Sequence, residues 1–177
     1  ERAVQDGRMA ALPRMGQKAA DNILRQVKNL HTKDQRTPIG QALPLAEEVI
    51  SQLRRACPDI GPLFPAGSLR RWEETIGDID LVGTSPNPEQ AGDALVALDI
   101  VREVVVHGPK KTSVIVEPGV QGDLRLSDPG SFGAMLQYFT GSQQHNIRLR
   151  DYANRMGLSL NEYGITDLST GKVEEFP

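Results

Sequence analysis

The chain has 177 residues and a mass of 19.4 kDa, with 38% apolar and 24% charged residues, a make-up that excludes wholesale disorder. It suits one ordinary domain or a few small ones sharing a core. A net charge of −3 carries no sign of a nucleic-acid partner, but the charge is uneven: residues 1–36 hold eight Lys/Arg against four Asp/Glu, while residues 61–130 hold six against eleven. A basic lead before an acidic middle suggests that one part meets an anion and another gathers carboxylates for a cation; a merely solvated asymmetry is the plainer alternative. No run approaches the roughly 18 apolar residues of a membrane span, and no basic-then-apolar signal segment opens the chain. Cys57 is the single cysteine, which excludes an internal disulfide and a cysteine-built zinc site; His31, His107 and His145 are scattered, against a histidine metal cluster. A cytoplasmic protein without membrane contact is expected.

The chain begins helical. Ala19, Ala20, Ile23, Leu24, Val27 and Leu30 recur at helical spacing after the break at Leu12-Pro13-Arg14-Met15-Gly16. A second helix is predicted over 40–56, with Ala42, Leu45, Ala46, Val49, Ile50 and Leu53 on one face and Pro44 near its start, where a missing N–H is least felt. Short β-prone runs follow at 79–82, 103–107, 113–117 and 123–127, with a helix over 88–98 between the first two. Helices return at 131–139 and 143–156, parted by Thr140-Gly141-Ser142, and the tail alternates as a small hairpin around Ser169-Thr170-Gly171. The expected class is α+β.

The richest stretch is Gly67-Ser68-Leu69-Arg70-Arg71-Trp72-Glu73-Glu74-Thr75-Ile76-Gly77-Asp78-Ile79-Asp80. On a strand, residues two apart share a face, so Asp78 and Asp80 project together. Such close carboxylates repel unless a cation lies between them or one takes a proton. Oxygen-only ligands suit Mg²⁺ or Mn²⁺. A third carboxylate, Asp123, begins another predicted strand in Gly122-Asp123-Leu124-Arg125. If the two strands are neighbours, a two-metal site becomes possible; the plainer reading of Asp78 and Asp80 is a polar strand end. Gly67-Ser68 before a short helical turn offers backbone N–H groups to a phosphate, and Arg71 offers a guanidinium. Arg70 leaves the turn on another face and is expected to be solvated.

This run resembles the family X DNA polymerases, the DNA polymerase beta-like group that includes bacterial and archaeal PolX enzymes. The resemblance continues through Ala42-Leu43-Pro44-Leu45-Ala46, Gly122-Asp123-Leu124-Arg125, Tyr138-Phe139-Thr140-Gly141-Ser142 and Asn161-Glu162-Tyr163-Gly164, nearly the whole chain. It implies a helix-hairpin-helix DNA-binding segment over 1–35, a nucleotidyltransferase palm with a mixed sheet over 36–129, and a truncated nucleotide-selecting subdomain over 130–177. It implies that Asp78, Asp80 and Asp123 are the catalytic ligands of two Mg²⁺ ions, with Mn²⁺ as a substitute. Ser68, Arg71, Gly77 and, by a looser match, Arg36 would meet the incoming triphosphate. Tyr138, Phe139 and Gly141 would lie against its sugar, and Asn146 and Arg150, one helical turn apart, would reach the minor-groove edge of the new pair. Leu12, Arg14, Gly16 and Lys18 would hold DNA phosphates.

The implied activity is addition of deoxynucleotides from their triphosphates to a primer 3′-end on primer-template or gapped DNA, in repair, by a monomer. A nucleotidyltransferase acting on a small molecule or RNA end, and a gap-binding module without turnover, are the alternatives. Gln121 stands where DNA polymerase beta carries an arginine, so a primer-side cation is expected to be missing. A fragment is expected, because the lyase and histidine-rich phosphoesterase domains of the family lie outside this sequence.

Overall fold

A computed structural model describes Asp6, Arg8, Gly16, Ala19, Ala20 and residues 36–177. The chain forms two compact units, Glu1–Arg36 and Thr37–Pro177. In the first, Arg8 pairs with Asp6 at 2.8 Å, and the N–H groups of Ala19 and Ala20 both donate to the Gly16 carbonyl. Leu12, Arg14 and Lys18, and with them most of the expected hairpin motif, lie outside the described residues.

The second unit opens on β1 (Thr37–Pro38) and α1 (Ile39–Ala56). Ala42, Ala46, Val49 and Leu53 recur at helical spacing and are buried, which turns one stripe of α1 to the core. Arg54 and Arg55 in its last turn complement the negative end of the helix dipole. Pro44 is a correction. The helix starts at Ile39, so Pro44 falls in its second turn and removes the donor that the Gly40 carbonyl would have used. Gly40 is exposed, and water can take that carbonyl instead.

Next come β2 (Leu63–Pro65), the single turn α2 (Gly67–Arg70), β3 (Thr75–Ile76), β4 (Asp78–Thr84), α3 (Pro88–Val96), β5 (Val101–His107), β6 (Lys111–Val116) and β7 (Val120–Ser127). The main sheet has the order β2-β4-β7-β6-β5. It is mixed: β4 and β7 are parallel, and the other neighbours are antiparallel. A parallel pair needs a crossover, which α3 and the β5–β6 hairpin provide. Asn87 caps α3 by accepting from the Gln90 N–H, with Pro88 following at the position where a proline fits best.

Alternation gives the sheet two unlike faces. Ile79, Leu81, Leu124, Leu126, Val114 and Val116 point into the main core, where Val49 and Leu53 of α1 and Ala91 and Leu95 of α3 meet them. Val82 points the other way, into a smaller cluster with Ala66 and Met135, packed by Phe132, Leu136 and Phe139. Those last residues belong to α4 (Phe132–Thr140), which follows a 3-10 turn at Pro129–Ser131 and precedes α5 (Gln143–Arg155). The tail forms a three-stranded antiparallel sheet, β8 (Leu158–Asn161), β9 (Gly164–Asp167) and β10 (Val173–Glu174), rather than a single hairpin. The additional turn at Glu162-Tyr163 is closed by the Tyr163 N–H donating to Asn161 Oδ1 at 2.9 Å. Among the described residues no helix is long and apolar enough to cross a membrane.

Leu124 is fully buried between two residues of the acidic face and makes the core testable. Leu124→Ala should lower unfolding free energy by about 2–5 kcal/mol through lost burial and a residual cavity. Urea denaturation followed by circular dichroism would show it as a lower midpoint at unchanged slope.

Candidate active site

Asp80 and Asp123 are register partners on the parallel strands β4 and β7, and Asp78 faces Gln121 two positions earlier. Side chains two apart share a face, so Asp78, Asp80, Gln121, Asp123 and Arg125 all stand on the side of the sheet opposite the main core. Antiparallel β6 adds Ser113 opposite Asp123 and Lys111 opposite Arg125. Where α4 lies on this face it covers Val82 and, through Phe139, its register partner Arg125; Asp78, Asp80 and Asp123 stand earlier along the same strands. Asp78 and Asp80 are half-buried and Asp123 is only 4% exposed. Asp123 does not begin its strand as expected, because β7 extends back to Val120 and places the carboxylate mid-strand.

The two register partners titrate in opposite directions. Burial, then the charges of Asp78 and Asp123, push the Asp80 carboxyl up to about 7. Burial also works against ionised Asp123, but the Gln121 amide and the Lys111 ammonium outweigh it and hold its carboxyl below the usual value. Gln121 Nε2 donates to Asp123 Oδ1 at 2.8 Å, and Lys111 Nζ lies 3.0 Å from Oδ2. The Arg125 guanidinium is 3.9 Å from the same oxygen and rests over the Phe139 ring, 4.2 Å from its centroid. A cation therefore stands against Asp123, delivered by β6, while position 121 is the uncharged Gln121.

The donor set is all oxygen, and the mutual repulsion that raises Asp80 is what a hard divalent cation would relieve, so the residues fit Mg²⁺ or Mn²⁺. Among the described residues, no three His, Cys, Asp or Glu side chains form a closed metal-holding group. Both Asp123 oxygens are instead engaged by Gln121 and Lys111.

α2 borders the acidic face. Gly67 has φ +55°, and a Cβ there would run into the Asp80 carboxylate, so glycine is what permits the turn and the carboxylate to approach. The Ala66 N–H donates to the Asp80 carbonyl at 2.8 Å and ties the two segments together. Ser68 is half-buried beside Gly67. α2 ends at Arg71, and the chain turns through Trp72 at φ 55°, an uncommon conformation for a side chain of that size. Gly77 is exposed between β3 and β4.

Arg71, expected to face a phosphate, donates through Nη1 to the Thr140 carbonyl at 2.7 Å, with Nε 3.3 Å from Glu73. It thereby joins α2 to the end of α4. Gly141 follows at φ +69°, and a Cβ there would lie 3.3 Å from Arg71 Nη1. Tyr138 and Phe139 meet edge to face, with ring centroids 5.2 Å apart. Asn146 donates to the Tyr138 carbonyl at 2.6 Å and braces α5 against α4, whereas Arg150 on the same helix is exposed. Ser142 caps α5 by accepting from the His145 N–H. Arg36 is exposed and ends the first compact unit.

The structure thus puts Asp78, Asp80 and Asp123 on one face and sets Gly67 against Asp80, with Ser68 next in the same turn and Arg71 turned to Thr140 and Glu73. Sequence reasoning passed over Lys111 and the acceptor role of Asp123 towards Gln121. The one available signal was the alternation in Lys111-Thr112-Ser113-Val114, which puts Lys111 and Ser113 on one face and Thr112 and Val114 on the other.

A family model described as the DNA polymerase beta thumb matches residues 135–177. The chain is 33% identical over 177 residues to the DNA polymerase/3′-5′ exonuclease PolX of Bacillus subtilis (strain 168), a match covering 99% of this chain and 31% of that protein. It therefore spans about a third of the length of the curated relative it matches. With the Gly67-to-Asp80 and Gly122-to-Arg125 motifs on adjoining segments of one sheet face, and with that identity along its length, the chain belongs to the family X DNA polymerases.

Proposed function

We propose that this chain carries the nucleotidyl-transfer centre of a DNA-directed DNA polymerase, extending primer 3′-ends on primer-template or gapped DNA in repair. The observation that carries the reading is the register of Asp80 with Asp123, with Asp78 on the same face. Asp78, Asp80 and Asp123 would hold two Mg²⁺ ions, or Mn²⁺, whose chemistry is to acidify the primer hydroxyl and offset charge on the transferred phosphate. Asp80, register partner of Asp123 and on the same face as Asp78, would be the ligand adjoining both of the others.

The rest is positioning by the chain's own groups. Ser68, Gly77, Arg71 and Arg36 would orient the triphosphate. For Arg71 this requires exchanging its Thr140 contact for a phosphate oxygen, which would couple triphosphate arrival to the α2–α4 junction. Tyr138, Phe139 and Gly141 would pack against the sugar. Asn146 would present its amide and Arg150 its guanidinium to the new base pair. In the palm-and-subdomain terms of the family, residues 36–129 would form the palm and 130–177 the nucleotide-selecting part. Leu12, Arg14, Gly16 and Lys18 would grip DNA phosphates through a helix-hairpin-helix, independent of base sequence. The enzyme would act as a monomer in the cytoplasm.

A primer-extension gel run beside a DNA-binding titration tests this. Asp123→Ala should abolish extension while DNA binding persists. Extension at wild-type level by Asp123→Ala would remove the centre from this face, and binding without extension by the wild type would favour a gap-binding module.

A further inference from the structure

Asp123 is a candidate metal ligand whose two oxygens are both already held, Oδ1 by Gln121 and Oδ2 by Lys111. The two holders differ in kind. The Gln121 amide is neutral and can remain while a cation binds, since a carboxylate has lone pairs to spare. The Lys111 ammonium is itself a cation on the oxygen that faces away from Gln121, and it repels a divalent ion at the same place. Arg125, the other cation nearby, is fixed by the Phe139 ring and stands 3.9 Å off. Lys111 has a flexible stem, and its side chain is 38% exposed, so it can leave for water without repacking the sheet.

We propose that Lys111 is a positioning residue that acts as the internal counter-ion of Asp123 and is exchanged for the divalent cation that binds there, thereby weakening cation capture at the Asp123 side of the centre. This rests on Asp123 being a metal ligand. Without Lys111, the mostly buried Asp123 charge would keep only the more distant Arg125, 3.9 Å away, as counter-charge beside Asp80 and Asp78. The cation-free protein should then be less stable and should bind the cation more tightly. Those two effects are linked: removing Lys111 raises the free energy of the empty centre more than that of the loaded one.

Mn²⁺ binding to the 177-residue chain, read by electron paramagnetic resonance of the free ion, tests it on wild type, Lys111→Met, Lys111→Arg and Asp123→Asn. Lys111→Met should bind Mn²⁺ roughly fivefold tighter or more, a change expected when a partly exposed ion pair stops competing. Its melting temperature in chelator should fall below wild type and recover when Mn²⁺ is added, which a merely structural role for Lys111 would not produce. Lys111→Arg should behave as wild type on both counts. Lys111→Gln, which keeps a donor and loses the charge, serves if the methionine variant does not fold and should also bind Mn²⁺ more tightly. Weaker Mn²⁺ binding by Asp123→Asn with unchanged or weaker binding by Lys111→Met overturns the exchange alone. Unchanged binding by Asp123→Asn overturns the ligand assignment and the exchange with it.

Discussion

Asp80→Asn is expected to make the metal-free chain more stable at neutral pH while ending primer extension. Burial and the charges of Asp78 and Asp123 push the Asp80 carboxyl up to about 7 in the folded chain, against an ordinary 3.8. A folded value above the unfolded one means that the native state holds the proton more tightly. The associated stability is complete below pH 4, declines as pH rises towards 7, and is gone above it. At about 1.4 kcal/mol for each tenfold change in proton affinity, the loss is at most about 4 kcal/mol. Asparagine has the same shape and no charge to lose. Asp123 works in the opposite sense, because its carboxyl is held low, but its window lies below the ordinary carboxylate value and does not overlap. Melting temperatures in chelator at pH 5, 6, 7 and 8 should therefore fall for wild type and stay nearly level for Asp80→Asn. Parallel curves for the two proteins would clear Asp80 of responsibility for the pH dependence.

The second large effect belongs to a residue with no side chain. Gly67→Ala should destabilise the fold by about 2–4 kcal/mol, combining a left-handed backbone with overpacking. The added methyl would meet the Asp80 carboxylate, so the damage falls on the acidic face as well. Gly40→Ala is the control. Gly40 lies within α1 with open space around its Cβ position, and alanine there should be neutral or stabilising by up to about 1 kcal/mol. Urea midpoints of the two variants should move in opposite directions or differ by the full margin. Equal midpoints would show that the Gly67 turn relaxes without strain.

Much of this was legible in the sequence where the relevant period is local. Asp78 and Asp80 share a face because a strand repeats every two residues, and the long stripes of Ala42, Ala46, Val49 and Leu53 write α1 directly. Asp123 was legible by motif but misplaced within its strand, since Val120-Gln121-Gly122 carries no clear β pattern. The two-residue strands β1 and β3, and β2 with its terminal Pro65, are too short to leave a period at all. Lys111 was illegible for a deeper reason. Its meeting with Asp123 depends on the β6–β7 register, and nothing within either strand states which residue stands opposite which. The same holds for Arg71, whose partner Thr140 is separated from it by most of the main sheet in sequence but is 2.7 Å away in space.

The parallel pairing of β4 with β7 has a consequence for how the protein is made. The two strands cannot zip from a tight turn; the long connection through α3 and the β5–β6 hairpin has to be closed for Asp80 to meet Asp123. A one-residue slip of either strand would turn its carboxylates into the apolar core and separate them from their partners. The divalent-ion affinity proposed for this face would thus arise only with the finished sheet. A newly synthesised or damaged chain can hold its helices and hairpins before these carboxylates meet, and the chemistry proposed for them would arrive only with the finished sheet.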